Sequence, residues 1–303
     1  MIVSLGGINM DLVTFADRLP ADGETVVGNR FVTYAGGKGA NQAVASARMG
    51  ARSKMVGRVG DDMFGPQLIE LLETASVETD AVGVTLGVSS GIAVINVGEG
   101  GQNRIVQVLG ANDTCGDSEY NAIAELAPQM SALLLQLEVS VELSLRAAAT
   151  AASQGVTVLL DPGPVRPIPS DFYRHISVIT PNETEAEALV GYRITGLETA
   201  RSAARELVNR GVGAAVVKLG AQGAYWDDGE RTGRVPAFPV EAVDTVAAGD
   251  AFNGALAVAL SEGRPLEEAV RWGAAAGALA VTRVGAQDSM PTREAVFGML
   301  PGG

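Results

Sequence analysis

Cysteine and histidine are almost missing from this chain of 303 residues; each occurs once, as Cys115 and His175. A single cysteine excludes an internal disulfide framework and any metal site built on a cysteine cluster. A single histidine excludes paired-histidine zinc motifs and makes a histidine-centred triad improbable. Basic charge is scarce too: 22 lysines and arginines face 35 acidic residues, a net charge of −13, and only Lys38, Lys54 and Lys218 are lysines. That balance argues against gripping nucleic acid or an anionic membrane. The longest uncharged apolar run, Trp272 to Val281, is about half of a membrane span. Met1–Gly7 lacks a basic region and is soon followed by Asp11, so no targeting segment is expected and the expected location is the cytoplasm. What remains is an ordinary globular composition, 47% hydrophobic and 19% charged.

Short β-branched runs alternate with longer Ala- and Leu-rich stretches of helical spacing. Strands are predicted at Ile2–Leu5, Lys54–Val59, Ala132–Leu137, Val156–Leu160, Ser177–Thr180 and Ala214–Leu219. Helices are predicted between them near Asn41–Met49, Phe64–Glu73, Ser118–Leu126, Val141–Ser153, Glu183–Leu189 and Thr199–Asn209, then at Ala251–Leu260, Leu266–Thr282 and Arg293–Met299. Such alternation implies a mostly parallel sheet covered by helices on both faces. Gly28–Ala35, Gly91–Val97 and Arg104–Val108 break the rhythm, the last two joined by a predicted turn at Gly98-Glu99-Gly100-Gly101. Strands without intervening helices suit a small separate sheet. The expectation is one α/β domain over residues 1–303, with a β-sheet lid from insertions at about 9–40 and 90–109.

Four segments carry potential chemistry. Ala35-Gly36-Gly37-Lys38-Gly39-Ala40-Asn41 opens a helical stretch, where free amides and close backbone approach suit a ligand; it lacks Walker A spacing, and a plain strand-to-helix turn is the alternative. In Asp244–Gly254, the amides of Ala248, Gly249 and Asp250 could converge on an anion, with the Asp250 carboxylate beside it to accept a proton from an attacking hydroxyl; a simple helix cap is the alternative. Asn182 and Glu185 match a capping box, or they lie at the carboxyl edge of the sheet near hydrated Mg²⁺ and nucleotide phosphates. Asn9 and Asp11 follow the first strand and share a side if the chain stays extended, which suits sugar hydroxyls as well as an ordinary turn; Glu138, closing an apolar run, is a similar case.

Taken together and in order, these segments resemble one family over Ile2 to about Phe297. Gly36-Gly37-Lys38-Gly39-Ala40-Asn41 resembles the sugar-side signature of the ribokinase-like, PfkB-type carbohydrate kinases, and Asp244–Gly254 resembles their Asp-Thr-x-x-Ala-Gly-Asp signature. Asp22-Gly23-Glu24-Thr25, Pro181–Glu185 and Val281–Ala286 match as well. The resemblance implies a ribokinase-like α/β fold with a β-sheet lid. It implies that Asn9, Asp11, Gly37, Lys38, Gly39, Ala40, Asn41 and Glu138 hold the sugar, that Asp250 is the base, and that Ala248 and Gly249 complete an anion hole. It places Asn182 and Glu185 near Mg²⁺–triphosphate and Lys218, Leu219, Gly220, Ala221, Gln222 and Gly223 along ATP. It implies a monovalent-cation (K⁺) site at Asp244, Val246, Ala280, Arg283, Gly285 and Ser289, largely through main-chain carbonyls. Ala274 departs from the family, standing where Asn or His often meets the adenine.

The expected reaction is transfer of a phosphoryl group from ATP to the primary hydroxyl of D-ribose, giving D-ribose 5-phosphate. A related kinase of deoxyribose, a nucleoside or a ketose is the main alternative. A non-catalytic sugar binder is disfavoured by the retained Asp250, and an NAD-type oxidoreductase by the lack of Gly-x-Gly-x-x-Gly after the first strand. The expected partners are sugar and ATP, with no nucleic acid or membrane, and a second copy of the chain paired through the lid.

Overall fold

A computed structural model describes residues 1–99 and 102–300. The strands are β1 (Ile2–Leu5), β2 (Asn9–Phe15), β3 (Arg30–Gly36), β4 (Ser53–Gly60), β5 (Val77–Thr85), β6 (Gly91–Val97), β7 (Asn103–Val108), β8 (Ala132–Gln136), β9 (Thr157–Asp161), β10 (Val178–Ile179), β11 (Ala214–Lys218), β12 (Ala224–Asp227) and β13 (Thr232–Val235). The helices are α1 (Lys38–Arg48), α2 (Phe64–Thr74), α3 (Asp117–Leu126), α4 (Val141–Ser153), α5 (Glu183–Val190), α6 (Leu197–Asn209), α7 (Ala248–Ser261), α8 (Leu266–Ala280) and α9 (Arg293–Met299).

Nine strands form the main sheet in the order β13-β12-β11-β10-β9-β8-β1-β4-β5, and only β12 and β13 run antiparallel to their neighbours. Its central strands are buried on both faces, which is why they read as unbroken apolar runs. The period of two still sorts them: Ile2 and Leu134 pack with α1, α7 and α8, whereas Val3, Leu133 and Leu135 pack with α4 and α6. Burying each of these side chains contributes roughly 1.5–3 kcal/mol. Registers align Leu5 with Leu135 and Gln136 with Asp161, so the loops after β1, β8 and β9 leave the sheet at one edge.

The smaller sheet has the order β3-β2-β6-β7, with β2 parallel to β6 and the outer pairs antiparallel. Its β2 was not among the predicted strands, because its buried polar start, Asn9, hides the alternation. Three more strands are additions to the sequence reading. Acidic Glu78 and Asp80 disguise β5, and β12 and β13 are four-residue edge strands too short to show a period. The predicted Gly98–Gly101 turn falls partly on residues 100 and 101, outside the described residues.

Candidate active site

Gly37 turns the chain from β3 into α1 at φ +90, where a side chain would sit 2.6 Å from the Gly7 carbonyl oxygen. That close approach sets the Lys38 amide 2.6 Å from Glu138 Oε2. Glu138, just past β8, also accepts from Asn9 Nδ2 at 3.2 Å and from Gln107 Nε2 of β7 at 2.6 Å, both at Oε1. Asn112 donates to Asn9 Oδ1 at 2.7 Å and so fixes which end of that amide faces Glu138. Asp11 lies one pleat further along β2, against the Gly36 backbone.

Across this cleft Ala247, at φ +58, makes a left-handed turn into α7. Asp250 sits in the first turn, 4% exposed, with Oδ2 2.9 Å from Asn41 Nδ2 and Oδ1 3.0 Å from Gln42 Nε2. Helices α1 and α7 come close enough for this because Gly254 faces Ala45, where a Cβ would lie 2.4 Å from its Cβ. The converging-amide expectation needs a correction. The Asp250 amide is spent on the Ala247 carbonyl at 3.0 Å and the Ala248 amide points to Thr245 at 3.5 Å, because the turn closes tightly. The Gly249 amide has no backbone partner among the described residues, and Lys218 Nζ lies 3.3 Å from where a Gly249 Cβ would be.

The site concentrates buried carboxylates. Burial first, and then the Asp161 charge, push Asp250 up to about 6. Burial, aided by Glu138 and Asp250, pushes Asp11 up to about 7, and burial also raises Glu138 against the pull of Lys38. Asp161 goes the other way: burial opposes its charge, but Lys218 and Lys38 outweigh it and hold the carboxyl below the usual range. Lys38 Nζ is 3.2 Å from Asp161 Oδ2, and the surrounding carboxylates overcome burial to keep it protonated.

Around the far side, Asn182 and Glu185 form a complete capping box at the start of α5, with Asn182 Oδ1 2.8 Å from the Glu185 amide and Glu185 Oε2 2.9 Å from the Asn182 amide. The capping alternative is therefore realised, although Glu185 also lies against Gly163 within the field of Lys38. Lys218 ends β11, and Leu219–Gly223 makes a tight turn. Leu219 is 2% exposed and points into the core, so only its backbone can meet a ligand, whereas Gly220, Ala221 and Gln222 are exposed. Asp244 binds the Val246 amide and the Gly285 amide, each at 3.0 Å, and so fastens two of the segments expected to flank a cation. The Ala280 carbonyl takes the Arg283 amide at 3.1 Å, and Ser289 Oγ donates to the Ala286 carbonyl at 2.8 Å. Gly285 packs against the ring of Tyr34 on β3. Ala274, on α8, is partly buried against the core.

Thus Asn9, Asp11, Lys38, Asn41, Glu138 and Asp250 share one cleft, with Lys218, Gly249 and Glu185 on its far wall. Gln42, Asp161, Asn253, Gln107 and Asn112 escaped the sequence reading. Gln42 and Asn253 look like neutral helix positions, and Asp161 looks like the end of a strand before Pro162. The cleft can seat a polyhydroxylated molecule against a carboxylate that accepts a proton, with an amide and an ammonium group aimed at an adjoining anion.

Known proteins share this arrangement of the chain. Residues 1–293 match the pfkB family carbohydrate kinase. A ribokinase from Bacillus subtilis is 38% identical over 299 residues, covering 99% of both chains. A deoxyribokinase from Salmonella typhi is 36% identical over 97% of each. Among solved structures, that of Arabidopsis thaliana ribokinase complexed with ribose and ATP superposes with a TM-score of 0.92 at 35% identity, covering 100% of this chain and 99% of the other. Its signatures, its fold and these relatives agree over nearly its whole length: the chain belongs to the pfkB family of carbohydrate kinases.

Proposed function

We propose that this protein is an ATP-dependent ribokinase, converting D-ribose and ATP to D-ribose 5-phosphate and ADP. The observation that carries the reading is Asp250: a buried carboxylate, held by Asn41 and Gln42, at a helix start where Lys218 Nζ lies beside Gly249. The primary hydroxyl oxygen attacks the γ-phosphorus as the bond to the departing ADP oxygen breaks, and the hydroxyl proton passes to Asp250. Little covalent help is needed; positioning and charge stabilisation carry the rate. The Gly249 amide, the Ala248 turn and Lys218 face the charge on the transferring group, while Asn9, Asp11, Asn41, Glu138 and the Gly37–Ala40 backbone engage the other hydroxyls. The small sheet would act as a lid that excludes water as a competing acceptor.

Two ions belong to this reading. Mg²⁺ would come with the phosphates and keep its own water, with Asn182 and Glu185 near that hydration shell. Bound there, Mg²⁺ would neutralise phosphate charge. K⁺ would be held by carbonyls around Val246, Ala280, Arg283 and Gly285, near Ser289 and the Asp244 carboxylate, and would stiffen the loop ahead of α7. What supports this reading is Asp244, whose carboxylate accepts an amide from each of the two loops and so ties them together. The cytoplasm is the location we infer, from composition, and a homodimer through the lid the assembly.

ADP release measured across pentoses, hexoses and nucleosides tests the substrate, with ribose expected to turn over best. Deoxyribose is the second reading, favoured by the 36%-identical deoxyribokinase. Asp250→Asn keeps size and capping ability but removes the proton acceptor, so turnover should fall about 10²–10⁴-fold in a folded protein. Near-normal turnover would reject Asp250 as the base.

A further inference from the structure

Apart from the Gln42 bond to Asp250, the relay behind that carboxylate has no part in the reaction as written above, yet every donor in it has a direction. Ser4 Oγ donates to the Gly39 carbonyl at 2.8 Å, leaving Gln136 Nε2 to approach that hydroxyl at 3.5 Å and to donate to Gln42 Oε1 at 2.6 Å. With its oxygen thus occupied, Gln42 must present its amide hydrogens the other way. They go to two carboxylates at once, Asp250 Oδ1 at 3.0 Å and Asp161 Oδ2 at 3.1 Å. Asp161 is fixed in turn by Lys38 Nζ, Asn253 Nδ2 at 3.0 Å and the Gly163 amide at 3.3 Å. Gln42, Asp161, Asn253 and Gln136 are all at most 2% exposed, so water does not replace these partners.

We infer that Gln42 and Asp161 are positioning residues for Asp250: the shared Gln42 amide holds the base in one orientation and keeps a second carboxylate beside it. The inference rests on the reading of Asp250 as the base. Orientation matters because a proton acceptor works only within hydrogen-bond reach of the attacking hydroxyl. Charge matters because a neighbouring carboxylate strengthens the hold of Asp250 on a proton, whereas the Gln42 hydrogen bond weakens it. The charged groups around Asp250 are Lys38 from α1, Asp11 from β2, Glu138 after β8, Asp161 from β9, Glu185 from α5 and Lys218 from β11. Of these, Asp161 is the one joined to Asp250 through a single shared donor.

The two residues therefore act on the base with opposite signs, which a merely structural role would not produce. The experiment is the pH dependence of kcat/KM for ribose in the wild type, Asp161→Asn, Gln42→Met and, as a control on the base itself, Asp250→Asn. In Asp161→Asn the acid limb should move to lower pH by on the order of one unit, with the KM for ATP little changed. In Gln42→Met it should move to higher pH, and kcat should fall about tenfold as orientation is lost. Acid limbs that stay at the wild-type position, or that move in the same direction in both variants, overturn the inference. Should Asp161→Asn fail to fold, the upward shift in Gln42→Met decides alone. Failure of the base reading looks different: Asp250→Asn would keep the wild-type turnover and limb.

Discussion

Asp11 shows what burial does to one residue. Its carboxyl binds a proton up to about pH 7 in the folded chain but gives it up at ordinary acidity, near 3.8, when unfolded. The folded state therefore holds more protons between those values, so Asp11's contribution to stability is fully present below about pH 4 and is lost as pH rises to about 7. Asp11→Asn keeps the shape without the charge. Its melting temperature should fall less than that of the wild type between pH 4 and 8, and at pH 8 it should melt higher by about 2–5 °C. Parallel melting curves, followed by circular dichroism, would contradict this account. At this scale the sequence was readable where side-chain chemistry is conspicuous, as at Asp250 or Asn9. Gln42 and Asp161 were not, because their importance comes from facing one another across 119 residues of chain.

At the scale of elements, β1, β6, α4 and α9 have the ends expected from periodicity and caps, and most others differ by a residue or two. Two helices that carry the site begin three residues early, α1 at Lys38 before the expected Asn41 and α7 at Ala248 before the expected Ala251. Small residues carry no helical period, and the left-handed Ala247 that starts α7 leaves no mark in the sequence. The loop before it is where K⁺ would act. Replacing Na⁺ by K⁺ at fixed ionic strength should raise kcat more than it lowers the KM for ribose, because an ion that stiffens the loop points the Gly249 amide without touching the sugar. Asp244→Asn should blunt that activation; equal activation in both proteins would remove the ion from this place.

For the molecule as a whole, the smaller sheet exposes more apolar surface than a lone lid needs: Phe31 on β3 and Ile105, Val106 and Val108 on β7 are 61%, 56%, 63% and 45% exposed. These strands are its two free edges, which invite pairing with another copy. Light scattering at micromolar concentration should give about twice the 31.0 kDa chain mass, and Val106→Lys should shift it toward the monomer; a monomeric wild type would reject the lid dimer. The same sheet reaches inward through Gln107, which shares Glu138 Oε1 with Asn9. A sugar hydroxyl bound at that oxygen, as proposed above, would have to evict a tenant. Recognition at this carboxylate would then be an exchange of one hydrogen bond for another, its net gain only the difference between them. Gln107 would thus be the substrate's rival there, and an acceptor lacking that hydroxyl would forfeit little binding while leaving Gln107 in place.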